Sequence, residues 1–391
     1  MKKPLLIIFG IIIIVILAVV WGYLLFFAKA EDNVDMFNNL VNGGAVDNAP
    51  LLNLPNEEDF PVNLERPPLR QLTTRPVAGF NEVIDDNGNL EIYFVEMGTG
   101  HLYSINSNSG EERRLSGTTI IQAREAYISD DGNTVAIVNY NNTKIKNLSL
   151  LRLDRENSTL IEVITDTVLD FYLKNNYLFF TSMEGGNLVA YAYELDTLNK
   201  KTVFTLPFSE ARIQWGESIA GPHYAYPKAS YALEGFLYKI EGSKLTRLPL
   251  EGFGFSALVE EETILFTKLT DQAPMSYFYN QKTNEIKALN QTYLPEKCLL
   301  IENALNIMCP YDPNITLPYQ MPDIWYQGKL SFADRLLLID LVTGTSNIFV
   351  DILSASGREI DVMRLSYDAN FKAFFFTNKN DNSLWMYENN Y

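Results

Sequence analysis

The sequence is short of the residues from which most catalytic and metal sites are built. Its 391 residues include two cysteines, Cys298 and Cys309, and two histidines, His101 and His223. A structural zinc site takes four Cys or His ligands and a catalytic one three, so no metal or other cofactor is expected. Basic residues are also scarce. There are 31 Lys and Arg against 48 Asp and Glu, a formal net charge of −17. Nucleic-acid binding needs clustered cations to meet the phosphates, so that class is excluded. The acidic balance favours solubility and repels acidic partners. No G-x-S-x-G occurs, which removes the nucleophile elbow of propeller-bearing peptidases. Nothing selects either histidine for a serine triad, and no catalytic residue is assigned. Asp85, Asn87 and Asn89 have the spacing of calcium ligands, but Leu90 stands where the sharp turn of such a loop needs glycine. Asn87-Gly88 reads better as a hairpin turn.

What the chain has in abundance is apolar run length at one end and strand-forming residues everywhere else. Lys2 and Lys3 precede an uncharged stretch from Pro4 to Ala28. As a helix it would span roughly 37 Å, more than the ~30 Å of a bilayer's hydrocarbon core. Trp21 and Tyr23 fall near its far end, where amphipathic rings favour the interface, and Glu31, Asp32 and Asp35 follow. Residues 1–28 are therefore read as a transmembrane signal anchor with a cytoplasmic N-terminus and an extracytoplasmic chain beyond. The rival reading is a signal peptide cut after Ala28-Lys29-Ala30, whose apolar region would ordinarily be shorter. Residues 29–68 carry Gly43-Gly44 and five prolines without a sustained period, the composition of an extracytoplasmic tether.

From Leu69 onward the most apolar short runs recur at regular distances. Phe94, Ile137, Phe179, Tyr224, Phe266, Ile307 and Phe375 mark them, with spacings of 43, 42, 45, 42, 41 and 68. A period near 43 with short strands is the mark of propeller blades. A strand covered on both faces by neighbouring blades reads as a continuous apolar run, not as an alternation. Polar turns such as Asp131-Gly132-Asn133 precede the runs, and an alternating strand such as His101-Leu102-Tyr103-Ser104-Ile105 follows. Seven runs predict an all-β, seven-bladed β-propeller over residues 69–391, preceded by one N-terminal transmembrane helix. The last unit, 359–388, has three strands, and Leu69–Thr73 is an orphan that would complete it, closing the ring and removing an exposed edge.

Ser366-Tyr367-Asp368-Ala369-Asn370 followed by Ala373–Phe376 and Leu384-Trp385 resembles the WD40-like, or TolB-like, propeller repeats of bacteria. Ser129-Asp130-Asp131-Gly132 before Val135-Ala136-Ile137 fits the first two parts of the same pattern. Ala369 departs from it, since the repeat has glycine there. Arg70–Thr73 and Gly98–Tyr103 are similar to segments of membrane-anchored propeller proteins of small-genome bacteria. The resemblance covers about residues 69–388 and implies a surface-exposed or envelope protein that works in complexes. It assigns no chemistry, and fold alone never does.

Two features stand out within the repeat. Cys298 and Cys309 flank a hairpin of Leu299–Ile301 and Asn306–Met308 with a loop over Glu302–Leu305, so they face each other across the ladder. Outside the cytoplasm they would form a disulfide; two buried thiols is the other reading. The long last spacing implies an insertion, Pro310 to Leu330, between the second and third strands of blade six. Tyr311, Tyr319, Met321, Trp325 and Tyr326 within it are of the types enriched in interface cores, and four prolines limit the cost of ordering it. It would bind a partner, or fold back onto the propeller with Trp325 buried. The function expected is a membrane-tethered binding scaffold for a protein or envelope polymer. The alternative is a propeller enzyme, a lyase or hydrolase using acidic channel residues, which two or more carboxylates beside an Arg or His in the channel would favour.

Overall fold

The computed structural model describes residues 67–391, apart from 86, 141–145, 155–156, 165–167, 302–305, 342 and 389–391. The anchor and nearly all of the tether, and the hairpin loop at Glu302–Leu305, lie outside the described residues. Among those described, no helix is long and apolar enough to cross a membrane.

The described chain forms seven four-stranded antiparallel sheets. In each, the chain starts at the innermost strand and works outward. The innermost strands are Val77–Ile84, Ala123–Ile128, Val168–Lys174, Ala211–Gln214, Ser256–Glu260, Leu299–Ile301 and Val362–Asp368. All seven sequence markers sit in the second strands: Leu90–Glu96, Thr134–Tyr140, Tyr177–Glu184, His223–Pro227, Thr263–Thr270, Asn306–Tyr311 and Ala373–Asn378. The seventh sheet takes its outer strand from the start of the domain, Leu69–Thr73, which pairs antiparallel with Leu384–Glu388. The ring is thus closed by the two ends of the chain, as the orphan strand predicted.

The packing explains the apolar runs. Each adjacent pair of sheets encloses its own apolar cluster, blade seven to blade one included. Along a single second strand the side chains divide between two of them. Val135 and Ile137 enter the cluster shared with blade one, and Ala136 and Val138 the one shared with blade three. Ala373 and Phe375 face blade one, and Phe374 and Phe376 face blade six. Side chains of period two that are wanted on both faces leave no place for a polar residue. Blades one and two approach closely at Gly79, where an added Cβ would lie 2.0 Å from the Ala126 carbonyl oxygen.

Alternation of strand direction gives the ring two unlike faces. One carries the connections between blades and the loops between second and third strands; we call it the insert face. The other, the turn face, carries the remaining hairpin turns, and there the chain enters at Leu69 and leaves after Glu388. Four innermost strands have a register irregularity near their insert-face ends, between Val77 and Gly79, Ala123 and Glu125, Val168 and Asp170, and Met363 and Ser366. Bulges re-aim side chains, and Arg364, at φ 51°, lies in one.

Candidate functional site on the insert face

The insertion in blade six is shorter at its start than the sequence suggested. Pro310 and Tyr311 still belong to the second strand, so the excursion runs from Asp312 to Asp334 before the third strand, Arg335–Asp340. Its one helical turn, Asp323–Tyr326, places two groups of side chains in opposite settings.

One group is buried. Trp325 and Met321 are each 2% exposed and pack with Leu294, Phe332, Leu317 and Met363. The Trp325 Nε1–H donates to Asp361 Oδ2 at 3.0 Å. That carboxylate, on blade seven, and Asp334 both accept from Lys297 Nζ, at 2.7 and 2.6 Å. All three charged groups are almost fully buried. Phe332 lies 4.4 Å beneath the ammonium. Lys379 donates to the Trp325 carbonyl at 2.7 Å, and Val362 N–H donates to Asp334 at 2.7 Å. Burial is the main influence on Asp334 and pushes its carboxyl up to about 6 despite the lysine. The insertion is therefore clamped to the ring. Of the two readings the sequence left open for the insertion, this half follows the fold-back one, with Trp325 and Met321 packed against the propeller. Tyr311 is half-buried against Tyr293, 5.9 Å away.

The other group is displayed. Asp323 accepts from Ser230 Oγ at 3.0 Å and from the Tyr231 N–H at 2.8 Å, tying the excursion to the loop between the second and third strands of blade four. Tyr319 and Tyr231 meet edge to face at 5.7 Å. Both are exposed, 49% and 36%, as are neighbouring Phe253 at 49% and Leu233 at 64%. A groove of about 590 Å³ is lined by Tyr231, Tyr319, Phe253, Leu269 and Gln272 among others. This aromatic rim brings four exposed large apolar side chains, Tyr231, Leu233, Phe253 and Tyr319, to the loops of blades four and six.

Between rim and axis lies the channel mouth. Tyr326 turns inward, and its hydroxyl and that of Tyr226 both donate to Glu296 Oε1, the latter at 3.4 Å. Arg212 is the second residue of the innermost strand of blade four, with its guanidinium centre 6.0 Å from the Tyr326 ring. It is exposed to solvent, yet desolvation, which lowers its pKa, is the largest single influence on it; Glu296, with Tyr326, Tyr226 and Asp170, outweighs that loss and holds the pKa above normal. A side chain that is wet and still largely surrounded by protein is one that projects into a channel. Asp170, from blade three, is within electrostatic reach of both Arg212 and Tyr127, and Arg364 of blade seven within reach of Tyr127. Burial raises the hydroxyl pKa values of Tyr226 and Tyr326 well above normal, with Glu296 adding to it, so both are hydrogen-bond donors and poor bases. Sequence reasoning missed this cluster. Its members lie on six blades or connections, and only the periodicity of strand starts hinted that they share a face.

The histidines have structural places. His223 is fully buried beside Phe179, Phe204 and Trp215, accepts from the Gly216 N–H at 3.0 Å and donates from Nε2 to the Ile219 carbonyl at 3.2 Å. His101 lies near Glu96 and Thr119. Asp85 Oδ1 accepts from the backbone of Asn87 and Asn89, a hairpin turn. Among the described residues, no group of three or more His, Cys, Asp or Glu is placed to hold a metal ion. Cys298 and Cys309 are joined, with Cα atoms 4.3 Å apart. The neighbouring pairs Leu299–Met308 and Leu300–Ile307 show that the two cysteines extend the ladder's own register.

No protein-family model and no curated protein matches the chain. Solved structures do. An oligogalacturonate lyase from Vibrio parahaemolyticus is 11% identical with a TM-score of 0.54, over 82% of this chain and 93% of that one. A chain of the mitotic checkpoint complex is 11% identical at 0.54, covering 89% and 99%. The β-propeller domain of the Trilobed protease from Pyrococcus furiosus, described as having an open velcro topology, is 11% identical at 0.51, covering 80% and 95%. The fold is a seven-bladed β-propeller. At this identity the likeness extends to the fold alone, and two of the three are named for enzymes or domains of enzymes.

Proposed function

We propose that the chain is a membrane-tethered, extracytoplasmic binding module that presents the insert face of its propeller to a protein or envelope polymer. The observation that carries this reading is the aromatic rim. Tyr319, Tyr231, Phe253 and Leu233 are exposed together, on loops that a buried ion cluster and Trp325 fix to the ring. Exposed aromatic side chains already held in place lose little entropy on binding and are the residue types that dominate interface energies. The long apolar run at residues 4–28 supports the tether. Chain entry and exit on the turn face leave the insert face clear of both.

The test is photo-crosslinking in intact cells from an unnatural residue at position 319. A discrete adduct is expected, weakened by Tyr231→Ser with Phe253→Ser, and absent when the probe is moved to the exposed turn-face residue Ile84. Identical adducts from 319 and 84, or none from 319, would remove the reading.

The enzymatic alternative draws on Arg212 with Glu296 and Asp170 in the channel mouth and on the lyase likeness. Against it, the nearest hydroxyls are held protonated, and neither histidine reaches the mouth. Cleavage of a polyuronate by the full chain, lost in Arg212→Gln, would turn the assignment.

A further inference from the structure

The insert face carries two cavities, and one loop divides them. The first, of about 570 Å³, lies between the connection from blade three to blade four, the Ser230–Leu233 loop and the blade-six excursion, with Phe208 and Leu233 in its walls. The second is the groove of about 590 Å³ at the rim, walled by Phe253, Leu269 and Tyr319. Asp323 holds the dividing loop in place through Ser230 Oγ and the Tyr231 N–H, at 3.0 and 2.8 Å. The charged side chains that line the cavities are unequal in sign. Glu210 and Lys228 pair at 3.3 Å in the first, where Asp323 also lies, and Asp271 lines the second. Three carboxylates thus stand against one ammonium.

We propose that the two cavities together take one segment of a partner protein, carrying two apolar side chains, one for each cavity, and a lysine or arginine. It rests on the reading that the insert face is a binding face, and it names the class of partner. Phe208, Leu233, Phe253 and Leu269 offer no side-chain hydrogen bond. A polysaccharide would bury hydroxyls against them, and an unmatched buried hydroxyl is costly. Apolar protein side chains match these walls, and a few such anchors seated in pockets dominate the energy of an interface. The excess of carboxylates selects a basic segment over an acidic one. The dividing loop is already fixed by Asp323, so most of the cost of ordering falls on the incoming segment.

The probe is a phage-displayed library of random linear dodecapeptides, panned on the immobilised full-length chain. Recovered peptides should share two apolar residues and a net positive charge. Their affinity, read by fluorescence polarisation, should fall about tenfold or more in Leu233→Ser and likewise in Phe253→Ser, the loss of one anchor's burial. Asp271→Lys should weaken them less, and Ile84→Ser on the turn face should change nothing. All four positions are exposed, so the melting temperature should stay as in the wild type. No consensus, an acidic consensus, or peptides that bind Leu233→Ser and Phe253→Ser as they bind the wild type would overturn the proposal. Crosslinking from position 319 separates it from the reading beneath it. An adduct that resists protease and stains for carbohydrate overturns this inference and leaves the binding face standing; no adduct removes both.

Discussion

Replacing Lys297 by methionine tests the clamp beneath Trp325. The substitution nearly conserves volume and removes the ammonium shared by Asp334 and Asp361, at 2.6 and 2.7 Å. Both carboxylates are left buried and facing each other. Lys379, 3.9 Å from Asp361, offsets part of the loss but does not reach Asp334 in the present arrangement. Breaking a buried ion pair from one side costs about 3–5 kcal/mol, on the order of 10 °C in melting temperature for a domain of this size. The pH dependence gives the sharper test. Asp334 already sits near 6, above its ordinary 3.8. A carboxyl raised in the folded state binds its proton more readily there than in the unfolded chain, so acidification from about pH 6 toward pH 4 stabilises the fold. Without the lysine the carboxyl rises further, and the variant recovers as it takes up a proton. Thermal unfolding should therefore show the largest deficit at pH 8 and a smaller one at pH 5. A deficit that is equal at both, or larger at pH 5, would refute the assignment of Lys297 as the counter-charge.

Trp325→Ala should destabilise by about 3–5 kcal/mol, whereas Tyr319→Ser, at an exposed position, should change the melting temperature by little; equal effects would mean that the excursion is not clamped by its buried half. Gly79→Ala should lower stability by about 1–3 kcal/mol or more, since the new Cβ meets a backbone carbonyl that no rotamer change can move; chemical denaturation measures it. Alkylation of the unreduced chain followed by mass spectrometry should leave Cys298 and Cys309 unlabelled, and the double serine variant should lose about 2–3 kcal/mol. His223 should carry a pH dependence opposite in sign to that of Asp334. Burial lowers its pKa, so its contribution is present above about pH 6.5, the unfolded value, and is lost as pH falls through the lower folded value. The shift is read directly by following the His223 ring resonances by NMR.

The blade count, the second strands and the ring-closing Leu69–Thr73 were legible because two-sided burial imprints itself on local sequence. Phe374 and Phe375 are adjacent in the chain and face different blades, so neither tolerates a polar residue. The cysteine pairing was legible for a similar reason, since a short hairpin fixes its own register. The insertion was found by its length, but its orientation was not. An aromatic such as Trp325 is equally suited to a partner's surface and to the chain's own, and Asp361, which decides between them, is 36 residues away. The channel mouth was the least legible. Arg212, Glu296 and Asp170 are unremarkable in an acidic sequence, and they become neighbours only through closure of the ring.

The two ends of the channel are not equivalent in charge. At the turn face, Glu82 lies within electrostatic reach of Asp130 and Asp368, and burial raises its carboxyl pKa. Glu260 and Glu217 are coupled to one another and to Lys174, which pairs with Glu217 at 3.7 Å. This end thus gathers five carboxylates about one lysine, and an anion approaching it meets repulsion. At the insert face the arginines Arg212 and Arg364 balance Asp170 and Glu296. The blade-six excursion overhangs that mouth, with Tyr326 contributing to it and Tyr319 to the rim outside. One segment, fixed by Trp325, carries both side chains, so a partner seated on the rim would meet a face already held in place.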